Sequence, residues 1–147
     1  LNTEQKRVWL TSDPFAELAP KYADAAGLGE LAGHSGTGVN NLLRSSIRAL
    51  RSLGLPLADR SVYDRFMLGF HDYLKGNAEY QRDCPKYRFE FPPNTTWMVF
   101  TDVVPHAVLS GRFAIEQTFI ISRSSLANPS HAPVSILEAL SGKALTN

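Results

Sequence analysis

Cysteine is almost missing. Cys84 is the only one in 147 residues, so no disulfide framework and no cysteine-rich zinc site can form within the chain, and a reducing compartment is expected. Long apolar runs are missing too: none approaches the roughly 18 residues that read as a membrane span. Residues 1–7 carry charge with no apolar stretch after it, which is not a signal peptide. Neither sign of charge dominates. With 15 Lys+Arg against 14 Asp+Glu there is no global field to draw nucleic acid. No repeat or low-complexity tract occurs. What remains is 44% hydrophobic and 20% charged, an ordinary globular balance. The length suits one domain or part of one, and Leu1 in place of an initiator Met points to a fragment or a processed chain.

Several catalytic signatures are also absent. No Gly-x-Ser-x-Gly occurs, and Cys84 precedes Pro85 with no glycine pattern around it, so a serine or cysteine hydrolase finds no activated nucleophile. The stretch from His34 to Val39 is glycine-rich but lacks the Lys-Ser/Thr of a phosphate loop. No carboxylate pair for glycoside chemistry can be picked out.

The hydrophobic period changes along the chain. Residues 7–10 read as a short strand ended by Asp13-Pro14, where Asp13 caps a helix with Pro14 at its first position. Residues 27–41, with five glycines, read as a flexible loop. A helix follows, with Leu42, Leu43, Ile47, Leu50 and Leu53 on one side, ending at Gly54. Residues 62–75 form a second helix, opened by a Ser61/Asp64 capping box and burying Val62, Phe66, Met67, Phe70, Tyr73 and Leu74. Then the period becomes two. Tyr87, Phe89 and Phe91 alternate with Lys86, Arg88 and Glu90 in a half-buried strand. Further strands are expected over 97–101, 106–109 and 113–121, the last being the longest. Residues 134–140 form a closing helix between Pro133 and Gly142. Helices that lead and strands that follow make an α+β order. These strands could close a jelly roll only with partners from elsewhere.

His106 begins a strand, a position from which an imidazole can point at a metal; a packed structural histidine is the plainer reading. The facial triad of non-haem iron oxygenases needs two His and one carboxylate. None of His34, His71, His106 and His131 has Asp or Glu two residues on, so spacing alone gives no complete metal site. Two helical stripes carry polar groups. Asp64, His71 and Lys75 share one face, as do Arg44, Arg48 and Arg51. Each reads either as a solvated face or as a contact surface, the second for phosphates or an anionic membrane.

Several stretches resemble one family, the Kdo 3-hydroxylases, where Kdo is 3-deoxy-D-manno-oct-2-ulosonic acid. The resemblance begins at Leu1-Asn2, Arg7-Val-Trp9 and Asp13-Pro-Phe15, and strengthens over Ser61-Val-Tyr-Asp-Arg-Phe-Met-Leu-Gly-Phe-His-Asp-Tyr-Leu-Lys75. It is strongest over Phe91-Pro-Pro-Asn-Thr-Thr-Trp-Met-Val-Phe-Thr-Asp-Val-Val-Pro-His106 and Leu109-Ser-Gly-Arg-Phe-Ala-Ile-Glu-Gln-Thr-Phe119, and returns at Ile136-Leu-Glu-Ala-Leu-Ser-Gly-Lys143.

The resemblance implies the C-terminal portion of a double-stranded β-helix (jelly-roll) oxygenase with flanking helices. Residues 1–85 would be mainly helical, 86–122 the jelly-roll strands and 123–147 a loop and helix. It implies Fe(II) with 2-oxoglutarate as co-substrate, and hydroxylation of Kdo attached to lipid A in the lipopolysaccharide inner core. His106 matches the distal iron-ligand position, and the proximal His-x-Asp is expected upstream of Leu1, so the fragment alone would lack a complete site. A basic side chain usually holds the 2-oxoglutarate carboxylate after the distal His. Arg112 is nearest, with Gln117 and Arg123 as further candidates. A tight Ser110-Gly111 hairpin would turn Arg112 away from the face of His106 and Ile115, whereas a corner between sheets would not. The implied setting is cytoplasmic, with Arg44, Arg48 and Arg51 available for peripheral contact with the inner membrane. A non-catalytic jelly-roll module binding sugar or lipid headgroups is the rival expectation.

Overall fold

The computed structural model describes residues 4–33 and 60–146. In chain order these hold strand β1 (Arg7–Thr11), helices α1 (Phe15–Tyr22), α2 (Leu28–Gly33), α3 (Val62–Gly76) and α4 (Ala78–Asp83), strands β2 (Tyr87–Phe91) and β3 (His106–Ser110), and helix α5 (Pro133–Ser141). The architecture is α+β, with a small antiparallel sheet beside a helical cluster. The expected helix carrying Arg44, Arg48 and Arg51 lies outside the described residues.

The Ser61/Asp64 capping box forms as its sequence predicts. Ser61 Oγ accepts from Asp64 N at 3.0 Å, and Asp64 Oδ2 accepts from Ser61 N at 3.1 Å. Two of the four N–H groups that a helix start leaves unpaired are thereby satisfied. From there the 3.6-residue period puts Val62, Phe66, Phe70 and Leu74 in the core, with Met67 and Tyr73 packed on its margin. Phe15, Leu18 and Ala19 of α1, Ala23 just after it, Leu28 and Ala32 of α2, Tyr80 of α4, Leu137 of α5 and Leu145 complete the cluster. Phe70 meets Phe15 edge-on at 5.5 Å and stacks on Phe66 at 5.4 Å.

Local chemistry moved three boundaries. Asp13 does not cap α1; Pro14 occupies the N-cap position without a side-chain bond, and Phe15 N donates instead to Val103 O at 2.7 Å. Residues 28–33 are helical rather than loop. The short α4 went unforeseen, although Asn77 directly after Gly76 is its cap, accepting from Tyr80 N at 2.9 Å. At the other end α5 stops as expected at Gly142, whose φ of +65° is the left-handed turn that glycine takes without strain. Glu138 then stitches the tail to the helix, accepting from Leu145 N at 3.1 Å and from Arg123 Nη1.

The sheet order is β2-β1-β3, antiparallel throughout. Trp9 pairs with Phe89 and Val108, and Thr11 with Tyr87 and His106. Side chains alternate along a strand, so Arg7, Trp9, Thr11, Tyr87, Phe89, Phe91, His106 and Val108 share one face. The alternation expected for 87–91 is therefore present, but Tyr87 and Phe89 remain 51% and 49% exposed. The strands expected over 97–101 and 113–121 do not form among the described residues, and Phe113, Ile115, Phe119 and Ile120 are exposed. A strand needs a hydrogen-bonding neighbour as well as a pattern, and among the described residues β3 pairs with β1 alone.

Candidate functional site

His106 opens β3 immediately after Pro105, and the turn leading to it is tied down from three elements. Phe15 N at the start of α1 donates to Val103 O, and Ser12 N just past β1 donates to Pro105 O at 3.2 Å. Tyr63 in the first turn of α3 donates its hydroxyl to Asp102 Oδ2 at 2.7 Å. Burial, then that hydrogen bond and the charge of Asp102, with Asp64 behind, push the Tyr63 phenol above its ordinary value, so it stays a donor at neutral pH.

The carbonyls of Val103 and Pro105 are thus taken, and the one between them serves the histidine. His106 Nδ1 lies 3.1 Å from Val104 O. A carbonyl can only accept, so Nδ1 carries a proton and Nε2 is the nitrogen left to face a metal. This is the arrangement in which metal-binding imidazoles are oriented by a backbone carbonyl. The imidazole lies flat on Trp9, with ring centroids 4.7 Å apart and planes 9° from parallel. Trp9 in turn meets the edges of Phe91 and Trp97 at 5.8 and 6.0 Å, and those two rings stack on each other at 4.5 Å. On the same face, Arg7 Nε and Trp9 Nε1 are buried with no hydrogen-bond partner. Each such orphan donor costs about 1–3 kcal/mol, and a polar ligand or further chain on this face would relieve it.

The residues present fit a metal as one nitrogen donor of a larger set. Among the described residues no group of three or more His, Cys, Asp or Glu could hold an ion. The tight hairpin after β3 is not formed. Gly111 has φ +130°, Phe113 φ +55°, and the chain crosses the stem of Arg7 so closely that a Cβ on Gly111 would sit 2.9 Å from Arg7 Cγ. The chain after β3 is therefore no tight hairpin, and the hairpin rule does not dictate where Arg112 faces. Arg112 and Gln117 are both exposed, whereas Arg123 is engaged with Glu138. The polar stripe of α3 dissolves into separate jobs: Asp64 belongs to the capping box, and His71 is an exposed neighbour of Asp72 at 3.6 Å. Sequence reasoning missed Trp9. No local signal could have found it, because its partner ring arrives from position 106 through the sheet register.

The family described as 3-deoxy-D-manno-oct-2-ulosonic acid (Kdo) hydroxylase matches residues 1–144. The chain belongs to the Kdo hydroxylase family. Solved structures agree. The Kdo hydroxylase KdoO, a non-haem Fe(II), α-ketoglutarate-dependent dioxygenase, matches in complex with α-ketoglutarate and Fe(III) at 32% identity and a TM-score of 0.74. Its cobalt(II) complex matches at 32% identity with a TM-score of 0.75. Each match covers 99% of this chain and 46% of the KdoO chain, so these residues span less than half the length of that Kdo hydroxylase. No curated protein matches. No helix among the described residues is long and apolar enough to cross a membrane.

Proposed function

We propose that residues 1–147 are the C-terminal portion of a single jelly-roll oxygenase domain that hydroxylates the Kdo sugar of a lipid A-linked glycolipid. Within it, residues 1–85 supply the mainly helical part, 86–122 the jelly-roll strands and 123–147 a closing loop and helix. The observation that carries this is the setting of His106, with Nδ1 committed to a backbone carbonyl, Nε2 presented, and the preceding turn tied to α1, α3 and the end of β1.

Fe(II) with 2-oxoglutarate, when bound, supplies the activation of O2 that hydroxylation requires. His106 would hold the metal through Nε2, as one protein ligand of a larger set. Arg112, with its planar fork, or Gln117 holds the 2-oxoglutarate carboxylate. The apolar face built by Trp9, Phe89, Phe91 and Val108 keeps water from the reacting centre once covered. The glycolipid acceptor places the enzyme on the cytoplasmic side of the inner membrane, where Arg44, Arg48 and Arg51 meet anionic headgroups.

The test is His106→Ala in the full-length protein, assayed with Fe(II), 2-oxoglutarate and a Kdo-bearing lipid A acceptor. The wild type should form succinate and add one oxygen atom to the sugar, and the variant should do neither. A variant that still hydroxylates at the wild-type rate removes His106 from the metal and the reading with it.

A further inference from the structure

We propose that Trp9 is a positioning residue for His106: the indole plane fixes the tilt of the imidazole and so the direction of Nε2. The inference rests on the reading of His106 as a metal ligand.

An imidazole at the mouth of a strand has two torsions to settle before its free nitrogen has a direction. The Nδ1–H bond to Val104 O, at 3.1 Å, anchors one edge of the ring, but a single hydrogen bond leaves the ring free to rock about its own axis. The stack on Trp9 removes that freedom, because planes only 9° from parallel at 4.7 Å admit little tilt without losing contact. Trp9 can act as a wall because it is itself held. It sits in the central strand, bonded on both sides, and the rings of Phe91 and Trp97 meet it edge-on at 82° and 87°. His106, by contrast, is exposed, so bulk packing does not restrain it.

The contact that Trp9 makes with His106 is the ring stack and not a hydrogen bond, since the indole Nε1 has no acceptor among the described residues. A purely space-filling role would be met by any apolar side chain of similar reach. A wall for an imidazole needs a flat ring, and phenylalanine keeps the flatness while discarding the orphan donor.

The experiment uses the full-length protein and Co(II) alone as the probe, since the related KdoO has been solved with cobalt(II). Affinity is read by calorimetry and ligand geometry by the visible d–d absorption of bound Co(II). Trp9→Phe should bind Co(II) within about threefold of wild type, whereas Trp9→Leu should lose about 10–100-fold, the usual effect of removing a group that orients a ligand. The Co(II) bands should change in Trp9→Leu alone. Equal loss in both variants, or no loss in either, overturns the proposal. Trp9→Met replaces the leucine variant if circular dichroism shows that the latter does not fold. His106→Ala is run beside them: unchanged Co(II) affinity in that variant sinks the metal-ligand reading itself, a result separate from any behaviour of Trp9.

Discussion

Tyr63→Phe is the most informative single-atom change, because it deletes a side-chain bond between the helical cluster and the turn that delivers His106. The ring stays, so the packing of α3 is kept and only the 2.7 Å bond to Asp102 goes. Hydrogen bonds to charged acceptors are worth about 1.5–3 kcal/mol net, and neutral ones about 0.5–1.5. Asp102 is exposed, so water takes the place of the lost hydroxyl and no buried carboxylate is stranded. The low end applies, and we expect a stability loss of about 1 kcal/mol by urea unfolding at neutral pH.

The same figure bounds the effect on metal binding. The bond can bias the turn by no more than its own free energy, so Co(II) affinity should fall by at most about fivefold, 1.4 kcal/mol being tenfold. The backbone bonds from Phe15 N and Ser12 N remain to hold Val103 and Pro105. The pH dependence gives an independent sign. The folded-state pKa of Tyr63 is raised, so its contribution is fully present below the ordinary tyrosine value of 10.0 and is lost as pH rises above that towards the folded value. The alkaline limb of stability should therefore be shallower in Tyr63→Phe than in wild type. A thirtyfold loss of Co(II) affinity would mean that Tyr63 reaches the metal environment directly. An unchanged midpoint with an unchanged alkaline limb would mean that the bond does not form.

Glu138 should show the opposite limb. Burial alone would raise its carboxyl, but the Leu145 N–H and then Arg123 outweigh burial and hold it below the ordinary value of 4.5. Its stabilisation is present above 4.5 and is lost as pH falls through the folded value, so Glu138→Gln should flatten the acid limb in a pH series of urea melts. Glu138→Ala also strands the N–H of buried Leu145 and should cost about 3 kcal/mol at neutral pH, clearly more than the glutamine variant. Gly111→Ala places a Cβ 2.9 Å from Arg7 Cγ at φ +130°, and should cost about 2 kcal/mol or more by the same melts. Ser61→Ala opens the capping box of α3 and should cost about 1 kcal/mol, with Ser61→Asp restoring most of it.

What the sequence made legible follows from how local each feature is. The α3 helix carries its cap, its apolar stripe and its stop within residues 61–77, so every decision about it is made nearby. The strand β2 was legible because its alternation is strict, and β1 and β3 because each is a short apolar run bounded by Pro or Gly. Local reasoning failed where an element depends on a distant partner. Residues 113–121 are as rich in strand formers as β2 is, yet composition and pattern say nothing of which chain provides the partner. The partner of Trp9 was hidden for the same reason. Nothing within ten residues of Trp9 hints that an imidazole from position 106 will lie on it; only the antiparallel register, Thr11 against His106, brings the two together.

That register also changes what the helices are for. In the sequence they read as flanking elements beside a catalytic sheet. In the structure, Phe15 at the first residue of α1 and Tyr63 at the second of α3 hold the leading end of the turn over residues 102–105, at Val103 and Asp102, while Ser12, between β1 and α1, holds its last carbonyl. Two of the three tying residues are rooted in the apolar cluster: Phe15 is buried in it and Tyr63 packs against it. A cavity made far from the histidine, at Phe66 for instance, should therefore act on His106 through α3 and Tyr63, without touching the sheet. The helical cluster is the foundation on which the imidazole is aimed. If His106 is a metal ligand, helix packing reaches it through the Tyr63–Asp102 bond and shifts affinity within the roughly fivefold bound set by the bond itself, less than a change beside the imidazole.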